Sequence, residues 1–362
     1  MVVTVGIDVH KDTHCAVAVD AAGRQLGRDR TFRAIDAGHR QLLRWVLTEF
    51  GREVEFAVED CRQFSNRLER SLLAAAQTVI RVPPKLVALT RQNTRTRGKS
   101  DPLDAVNIAR AAVREPGVPR AEHPHASRDV KLLVDHREDL VGSGTAIQNR
   151  LRWLLHELDP RIDPEPRQLD SMRELDRVRD RVAALPVTTE TATVIRIALE
   201  QFGDIRQLTV RARELEKELV LLVQQQAPQL LDLPGCGVLT AAKLIGETAN
   251  PCRFRSEACF AMHAGVAPIP ASSGRTQRHR LARGGNRHLN AALHRIAVTQ
   301  ARLDCPGRDY YQRRKTKHQD STIEVLRVMK RKIARIVYQL LNTPTTTAAA
   351  CQPVAARHRS NT

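Results

Sequence analysis

Four acidic residues stand where the chain could gather them into one metal site. Asp8 lies inside the apolar run 2–9, and Glu59 follows the apolar run 54–58. Asp101 and Asp104 are three residues apart at a predicted helix start, so their side chains would share one face. Carboxylates are the ligands that Mg²⁺ prefers. Two such ions, about 4 Å apart, would hold the attacking and leaving oxygens of a phosphodiester.

Each acid also has an ordinary structural interpretation. Asp8 could make a turn hydrogen bond at a strand end. Asp101 before Pro102 has the pattern of a helix N-cap followed by proline, and Asp104 would then favour the positive end of the helix. Glu59 adjoins Asp60, which could replace it as a ligand. The residue types alone do not distinguish a metal site from these structural roles.

A second candidate for chemistry is Ser273, in a loop that contains glycine. A serine hydroxyl becomes a useful nucleophile when a base, a metal or a positive field stabilises its alkoxide. A turn serine is the alternative interpretation, and the adjacent Ser272 makes the position ambiguous. The basic residues that could hold a phosphate beside this loop are Arg275, Arg278, Arg280, Arg283 and Arg287.

The net charge points to a polyanionic partner. The 362 residues carry a formal charge of +18 with a pI near 10.4, which favours nucleic acid first and an anionic membrane surface second. The segment 251–335 holds 19 Lys and Arg against 5 Asp and Glu, so this part of the chain is the predicted binding surface. Aromatic residues make up only 3%, which argues against base stacking as the main binding mode.

Several classes of protein are disfavoured. No run of 18 apolar residues is present, so no membrane span is expected. The seven cysteines are scattered without a C-x-x-C pair, which predicts a reducing cytoplasm rather than a disulfide framework or a zinc site. The phosphate loop of ATP- and GTP-binding proteins is also missing from the sequence.

The elements that must position the acids alternate between strand and helix over residues 1–115. Two β-branched runs, 2–9 and 15–19, predict a β-hairpin. Further strands are predicted at 25–33, 54–58 and 78–82, the last of them ended by Pro83-Pro84, with helices at 35–50, 65–76 and from about 100 to 113. This pattern is typical of an α/β domain.

The region 116–228 is predicted to be helical. Leu133, Leu140, Ile147 and Leu154 are seven residues apart and are interleaved with Leu151 and Leu158. A second row alternates by three and four residues through Ile205, Leu208, Ala212, Leu215, Leu219 and Leu222. Heptad spacing favours a coiled-coil arm, and an ordinary helical bundle is the alternative.

A mainly α-helical third domain is predicted over 229–342, followed by a disordered tail, 343–362. It opens with Leu233-Pro234-Gly235-Cys236-Gly237, a helix-hairpin-helix-like element. Backbone amides at Gly235 and Gly237 could approach a phosphate there. A plain helix cap is the alternative.

Several blocks together resemble a known family, the Asp-Glu-Asp-Asp (DEDD) transposases. These form the one-hundred-and-ten family of bacterial insertion sequences and are related to Piv-type DNA invertases. The resemblance spans about residues 2–340 in the family's order. Two departures are Pro102, where the family usually has arginine, and Asp60-Cys61-Arg62 after Glu59. The matching blocks are 5–11, 57–59, 99–105, 233–237, 264–268, 272–274 and 283–286.

The resemblance implies a RuvC-like (RNase H-like) N-terminal domain whose four carboxylates, Asp8, Glu59, Asp101 and Asp104, bind Mg²⁺. It also implies that Ser273 attacks DNA and forms a covalent phosphoserine. Members of the family use a structured guide RNA that pairs with donor and target DNA, and they assemble as homo-oligomers, dimers or tetramers. The expected activity is therefore transposition by a recombinase.

Two other functions fit the residues. A metal-dependent RuvC-like nuclease would need the four acids and no nucleophilic serine. A non-catalytic nucleic-acid-binding protein would use the acids only as caps and turns. Substitution of Ser273 separates the first of these from a serine recombinase, and metal-dependent cutting would exclude the second.

Overall fold

The computed structural model divides the chain into two compact units, Met1–His125 and Ala126–Thr362. No described helix combines the length and apolar character needed to cross a bilayer. The structure describes residues 2–59, 62–92, 100–115, 117–118, 120–121, 126–165, 167–271, 279–282 and 284–343.

The first unit is built on a five-stranded mixed sheet with the order β3-β2-β1-β4-β5. β1, β2 and β3 form an antiparallel meander, whereas β4 and β5 run parallel to β1. The strands are β1 (Val3–Val9), β2 (Thr13–Val19), β3 (Gln25–Arg33), β4 (Val54–Glu59) and β5 (Thr78–Val82). The five predicted strands are therefore confirmed, and β4 extends one residue further to include Glu59.

Helices cover both faces of this sheet. They are α1 (Asp36–Phe50), α2 (Arg62–Ala74), α3 (Pro84–Gln92) and α4 (Asp101–Arg114). Val5 and Ile7 of β1 share a core with side chains of α1 and α2. Because side chains alternate along a strand, Gly6 and Asp8 face the other side, on which α4 packs. α3 is a helix that the sequence analysis did not predict: Pro84 ends the strand region and also takes the first position of this helix.

Eight helices and a short hairpin make up the described part of the second unit. The helices are α5 (Ala126–Leu158), α6 (Met172–Ala183), α7 (Ala192–Gln226), α8 (Val238–Thr248), α9 (Glu257–His263), α10 (Arg287–Gln300), α11 (Pro306–Lys317) and α12 (Thr322–Asn342), and the hairpin strands are β6 (Pro268–Pro270) and β7 (His279–Leu281). The tail 344–362 lies outside the described residues.

The two long helices α5 and α7 pack against each other. Of the row predicted for α7, Ile205, Ala212 and Leu219 are buried, whereas Leu208, Leu215 and Leu222 are only partly buried. In α5 the buried row differs from the predicted one, because Leu133 and Leu154 are only partly buried whereas their neighbours Val134 and Leu155 are fully buried. The first half of α5 packs in the core of α8 and the second half packs near α6, so no single heptad row serves its whole length.

One hydrophobic core joins the ends of the long helices to the C-terminal helices. Val130 of α5 and Val223 of α7 pack in the same cluster as Leu244 of α8, Leu293 of α10 and Ile333 of α12. Residues on both sides of position 228 thus share one core. A domain boundary at that position stays a prediction.

A buried histidine pair predicts how the stability of the first unit depends on pH. His14 of β2 and His39 of α1 stack with their ring centroids 5.3 Å apart, and their Nε2 atoms are 3.2 Å apart. Burial, and then His39, lower the pKa of His14 from 6.5 to about 4. The unfolded chain therefore binds more protons than the folded chain between these values. The free energy of unfolding should fall as pH drops from 6.5 to 4, by roughly 3 kcal/mol.

Urea unfolding followed by tryptophan fluorescence measures this effect. A Trp153→Phe background leaves Trp45, which is buried in the first unit, as the sole tryptophan. His14→Phe should flatten the dependence on pH, whereas His156→Phe, at an exposed position on α5, should leave it unchanged. Equal slopes in both variants would contradict the prediction.

Candidate active site

Asp8 and Glu59 are brought together by strand pairing. β1 and β4 are parallel neighbours, and Ile7 pairs with Val58, the residues directly before the two acids. Both carboxylates therefore stand at the carboxyl ends of adjacent strands. Alternation along the strands puts them on the face covered by α4. Asp60, the alternative to Glu59, lies outside the described residues.

α4 brings the other two acids to the same place. Asp101 is the first residue of α4 and Asp104 lies in its first turn. The helix lies directly against β1 at Gly6, where an added Cβ would overlap the carbonyl oxygen of Ala105 and the backbone nitrogen of Ala109. Only glycine permits this approach, two residues from Asp8 along the strand.

His10 is a site residue that the sequence analysis missed. Its Nε2 lies 3.0 Å from Oδ2 of Asp8 and 3.6 Å from Oδ1 of Asp101. One ligand atom from each of these three residues fits within 4.8 Å of the others, which is close enough to hold one metal ion. The sequence feature that could have identified His10 is its position two residues after Asp8, directly after the end of β1.

The structure excludes the N-cap interpretation of Asp101. Ser100, and not Asp101, is the N-cap residue of α4, and its carbonyl oxygen accepts a hydrogen bond from the backbone N–H of Asp104. Asp101 is therefore a helical residue whose carboxylate lies beside His10. The N-cap interpretation of Asp101 is wrong.

Asp104 is buried and paired with an arginine of α3. Nη2 of Arg91 donates a hydrogen bond to Oδ1 of Asp104 over 2.5 Å. The pKa of Glu59 is raised, and the positive charge of Arg91 offsets part of that rise. The guanidinium of Arg91 therefore interacts electrostatically with two of the four acids. It is a cation belonging to the chain itself, next to the carboxylates.

The pKa shifts show that the four carboxylates interact. Burial raises the pKa of Asp8, His10 partly offsets this effect, and Asp104 and Asp101 raise the pKa further. Burial is also the largest cause of the raised pKa of Glu59, followed by the charge of Asp8. Like charges held together in a partly buried place favour protonation or the binding of a cation.

The predicted residues of the C-terminal loop are only partly described. Ser273, Ser272, Arg275, Arg278 and Arg283 lie outside the described residues. β6 and β7, which flank the segment 272–278 in the sequence, pair with each other, and Arg280 is an exposed residue of β7 opposite Ile269. Arg287 is the first residue of α10.

The two glycines of the helix-hairpin-helix-like element have different surroundings. Gly235 has φ +82°, and an added Cβ would be 3.0 Å from Cβ of Thr299 on α10. The backbone conformation and the close packing therefore both explain why glycine occupies this position. Gly237 is the N-cap of α8, and no atom lies within 4 Å of its absent Cβ. The helix predicted before this turn is a short 3-10 helix, Pro228–Leu230.

A buried ionic network holds the end of the 283–286 block. Oδ1 of Asn286 accepts hydrogen bonds from the backbone N–H groups of His288 and Leu289 and so caps α10. Its amide nitrogen donates to Glu247 over 2.6 Å, and Glu247 is also paired with Lys131 of α5. The position of Asn286 therefore depends on both α8 and α5.

The chain is similar to insertion-sequence proteins over most of its length. Residues 5–160 match a family model described as a transposase of the DEDD class, and residues 227–312 match one described as the transposase IS116/IS110/IS902 family. The 44.8 kDa protein of insertion element IS116 from Streptomyces clavuligerus is 26% identical, across 91% of this chain and 92% of its own length. The 42 kDa protein of insertion element IS900 from Mycobacterium paratuberculosis is 28% identical, across 95% and 98%. The 43.6 kDa protein of insertion element IS110 from Streptomyces coelicolor is 26% identical, across 65% and 69%.

Proposed function

Because this chain belongs to the IS110 family of DEDD insertion-sequence transposases, we propose that it cuts and rejoins DNA with a Mg²⁺-binding carboxylate site and a nucleophilic serine. The observation that carries the proposal is that Asp8 and Asp101 lie with His10 within ligand distance of one another, while strand pairing places Glu59 beside Asp8 and the first turn of α4 carries Asp104. The sheet order, with an antiparallel meander followed by two parallel strands, supports a RuvC-like first unit.

The acids fit a hard divalent cation. They offer carboxylate oxygens. Burial raises the pKa of both Asp8 and Glu59, and neighbouring carboxylates raise it further, which favours a bound cation. Asp8, Glu59, Asp101 and Asp104 would hold the metal. When bound, Mg²⁺ would supply positive charge that stabilises the phosphodiester as it reacts. His10 orients the carboxylate of Asp8 by its hydrogen bond, and Arg91 balances the charge of Asp104.

Ser273 is the proposed nucleophile. Its hydroxyl oxygen forms a bond to the DNA phosphorus, one P–O ester bond breaks, and the deoxyribose oxygen leaves with the proton. The nearby basic residues hold the phosphate and its developing charge; they are Arg275, Arg278, Arg280, Arg283 and Arg287. The backbone amides at Gly235 and Gly237 are proposed to contact the DNA backbone.

The proposed partners are donor DNA, target DNA, a structured guide RNA and further copies of the chain. The formal charge of +18 supports polyanionic partners. The guide RNA and the homo-oligomer rest on the family resemblance alone.

Trapping of a covalent adduct tests the proposal. The full-length protein is incubated with Mg²⁺, its guide RNA and labelled donor DNA, and the products are separated under denaturing conditions. We expect a DNA–protein adduct for the wild type and for Ser272→Ala, and none for Ser273→Ala. The neighbouring serine is the matched control, because both substitutions remove one hydroxyl from the same loop.

The other outcomes identify the rival functions. Metal-dependent cutting without an adduct in any variant would indicate a RuvC-like nuclease that uses water. Binding of DNA and RNA without any cutting, for several donor ends and guide RNAs, would indicate a non-catalytic binding protein. Either result would overturn the serine mechanism.

A further inference from the structure

A cavity of about 470 Å³ lies between α10 and α12 in the second unit. The charged side chains that line it are all basic, Arg287 on α10 and Arg327 and Lys330 on α12, and His294 stands beside them. Among the described residues, no carboxylate lines this cavity. The nearest acid along α12, Glu324, is bound to Ser321 in the capping box of the helix.

Lys330 is held in the cavity without a charged partner. It is half-buried, and its ammonium group donates a hydrogen bond to Oδ1 of Asn290 over 2.9 Å. The amide nitrogen of Asn290 donates to the carbonyl oxygens of Ala264 and Gly265, which fixes the orientation of the amide. No ion pair forms between Lys330 and an acid of the described part of the chain.

The surroundings of Lys330 favour the arrival of an anion. Burial, and then the charge of Arg327, lower the pKa of Lys330, so its ammonium form is held at a cost in free energy. Burial and Lys330 likewise lower the pKa of His294. A phosphate in the cavity would offset this cost, because an opposite charge stabilises a half-buried ammonium.

Apart from Asn290, the rest of the lining consists of apolar side chains and glycines. Ile323 is 62% exposed although it is a large hydrophobic residue, and Leu326 lies one turn further along α12. Gly265 and Gly285 form part of the wall and add no side-chain bulk. A cavity with cations on one part of its wall and an apolar surface on another matches the two parts of a nucleotide, a phosphate and a sugar with its base.

The position of the cavity favours DNA over other phosphate compounds. Its wall includes Ala282, the residue directly after β7, and Gly285. Ala282 is nine positions after Ser273 in the sequence. An extended chain of that length spans at most about 30 Å, which is less than one turn of a DNA duplex.

We propose that this cavity binds one nucleotide of the DNA strand that is cut, within one helical turn of the scissile phosphate. Its phosphate contacts Lys330, Arg287 and Arg327, and its sugar packs on Ile323 and Leu326. The identification of the ligand as DNA rests on the proposed function, and the distance from the scissile phosphate rests on Ser273 as the nucleophile.

Binding without cutting tests this inference. A fluorescent duplex of the donor end is titrated with the full-length protein in EDTA at several salt concentrations. Lys330→Met should weaken binding and reduce the slope of log K against log salt by about one. The control is Lys332→Met on the same helix, because Lys332 lies over the ring of Tyr310, 3.8 Å from its centroid, and does not line the cavity. Lys330→Arg should retain wild-type binding and so exclude a folding defect.

Protection of lysines from acetylation identifies the ligand directly. Mass spectrometry after brief acetylation compares Lys330 with Lys332 in the presence of donor DNA, guide RNA or orthophosphate. We expect DNA to protect Lys330 selectively. Protection by guide RNA alone or by orthophosphate alone, or equal effects of Lys330→Met and Lys332→Met on DNA binding, would overturn the proposal for this cavity.

These experiments distinguish a failure of the cavity assignment from a failure of the proposed function. A wild-type protein that binds donor DNA but shows no role for Lys330 would overturn only the cavity assignment. A wild-type protein that binds no DNA, with and without the guide RNA, would overturn both.

Discussion

The Asp8→Asn variant should lose DNA cutting by at least about 10³-fold, because loss of a metal-binding carboxylate removes several kcal/mol of transition-state stabilisation. The same variant should be more stable than the wild type when no metal is present. The pKa of Asp8 is raised, so the folded protein binds the proton more tightly than the unfolded chain. The free energy of unfolding therefore falls as pH rises past the ordinary pKa of aspartate, and the neutral amide avoids that loss at pH 7.

Two measurements on the same preparation check this prediction. Thermal unfolding in EDTA should give a higher Tm for Asp8→Asn than for the wild type, and added Mg²⁺ should raise the Tm of the wild type only. Cutting of donor DNA is then measured with Mg²⁺ present. Asp29→Asn, on the exposed part of β3, makes the same chemical change away from the site and should behave like the wild type. A lower Tm together with full activity would contradict the role of Asp8.

Gly6→Ala should damage the site without changing any of its ligands. The new Cβ would overlap the carbonyl oxygen of Ala105, so α4 would have to move away from β1. Overpacking of this kind costs about 1–3 kcal/mol, and more where backbone is in the way. Because Asp101 and Asp104 begin α4, the same movement would separate them from Asp8. We expect a less stable protein that no longer gains stability from Mg²⁺.

Urea unfolding of the Trp153→Phe background, followed at Trp45, measures the stability of the first unit. Gly142→Ala on α5 is the control, because no atom lies within 4 Å of the added Cβ and a helical alanine is favoured over glycine. An unchanged response of Gly6→Ala to Mg²⁺ would show that the close approach of α4 does not position the acids. Truncation of Ala109 to glycine should fail to rescue the variant, because two of the three nearest atoms belong to the backbone.

The local structure of the first unit could be predicted because it is encoded by short patterns. β-branched runs with turn residues between them predicted β1, β2, β4 and β5. The pair Asp101-Pro102 predicted a helix start within one residue of the observed one, although the N-cap is Ser100 and not Asp101. α3 was missed, because a pair of prolines signals both the end of a strand and the start of a helix. In α5 the heptad pattern predicted the helix correctly but not which of its residues are buried. Burial along α5 depends on which other helices pack against it.

The sequence by itself determined the types of the elements, the excess of basic charge in the C-terminal part and the four acids as candidates. Only the tertiary structure decided which of the described groups meet. The parallel pairing of β1 with β4 and the contact of α4 with Gly6 join segments that are about 50 to 100 residues apart in the chain. Tertiary packing also decided the contacts of His10 with Asp101 and of Arg91 with Asp104, and it formed the cavity at Lys330. Local periodicity reports which face of an element is apolar, whereas the identity of its neighbour depends on the packing of the whole unit.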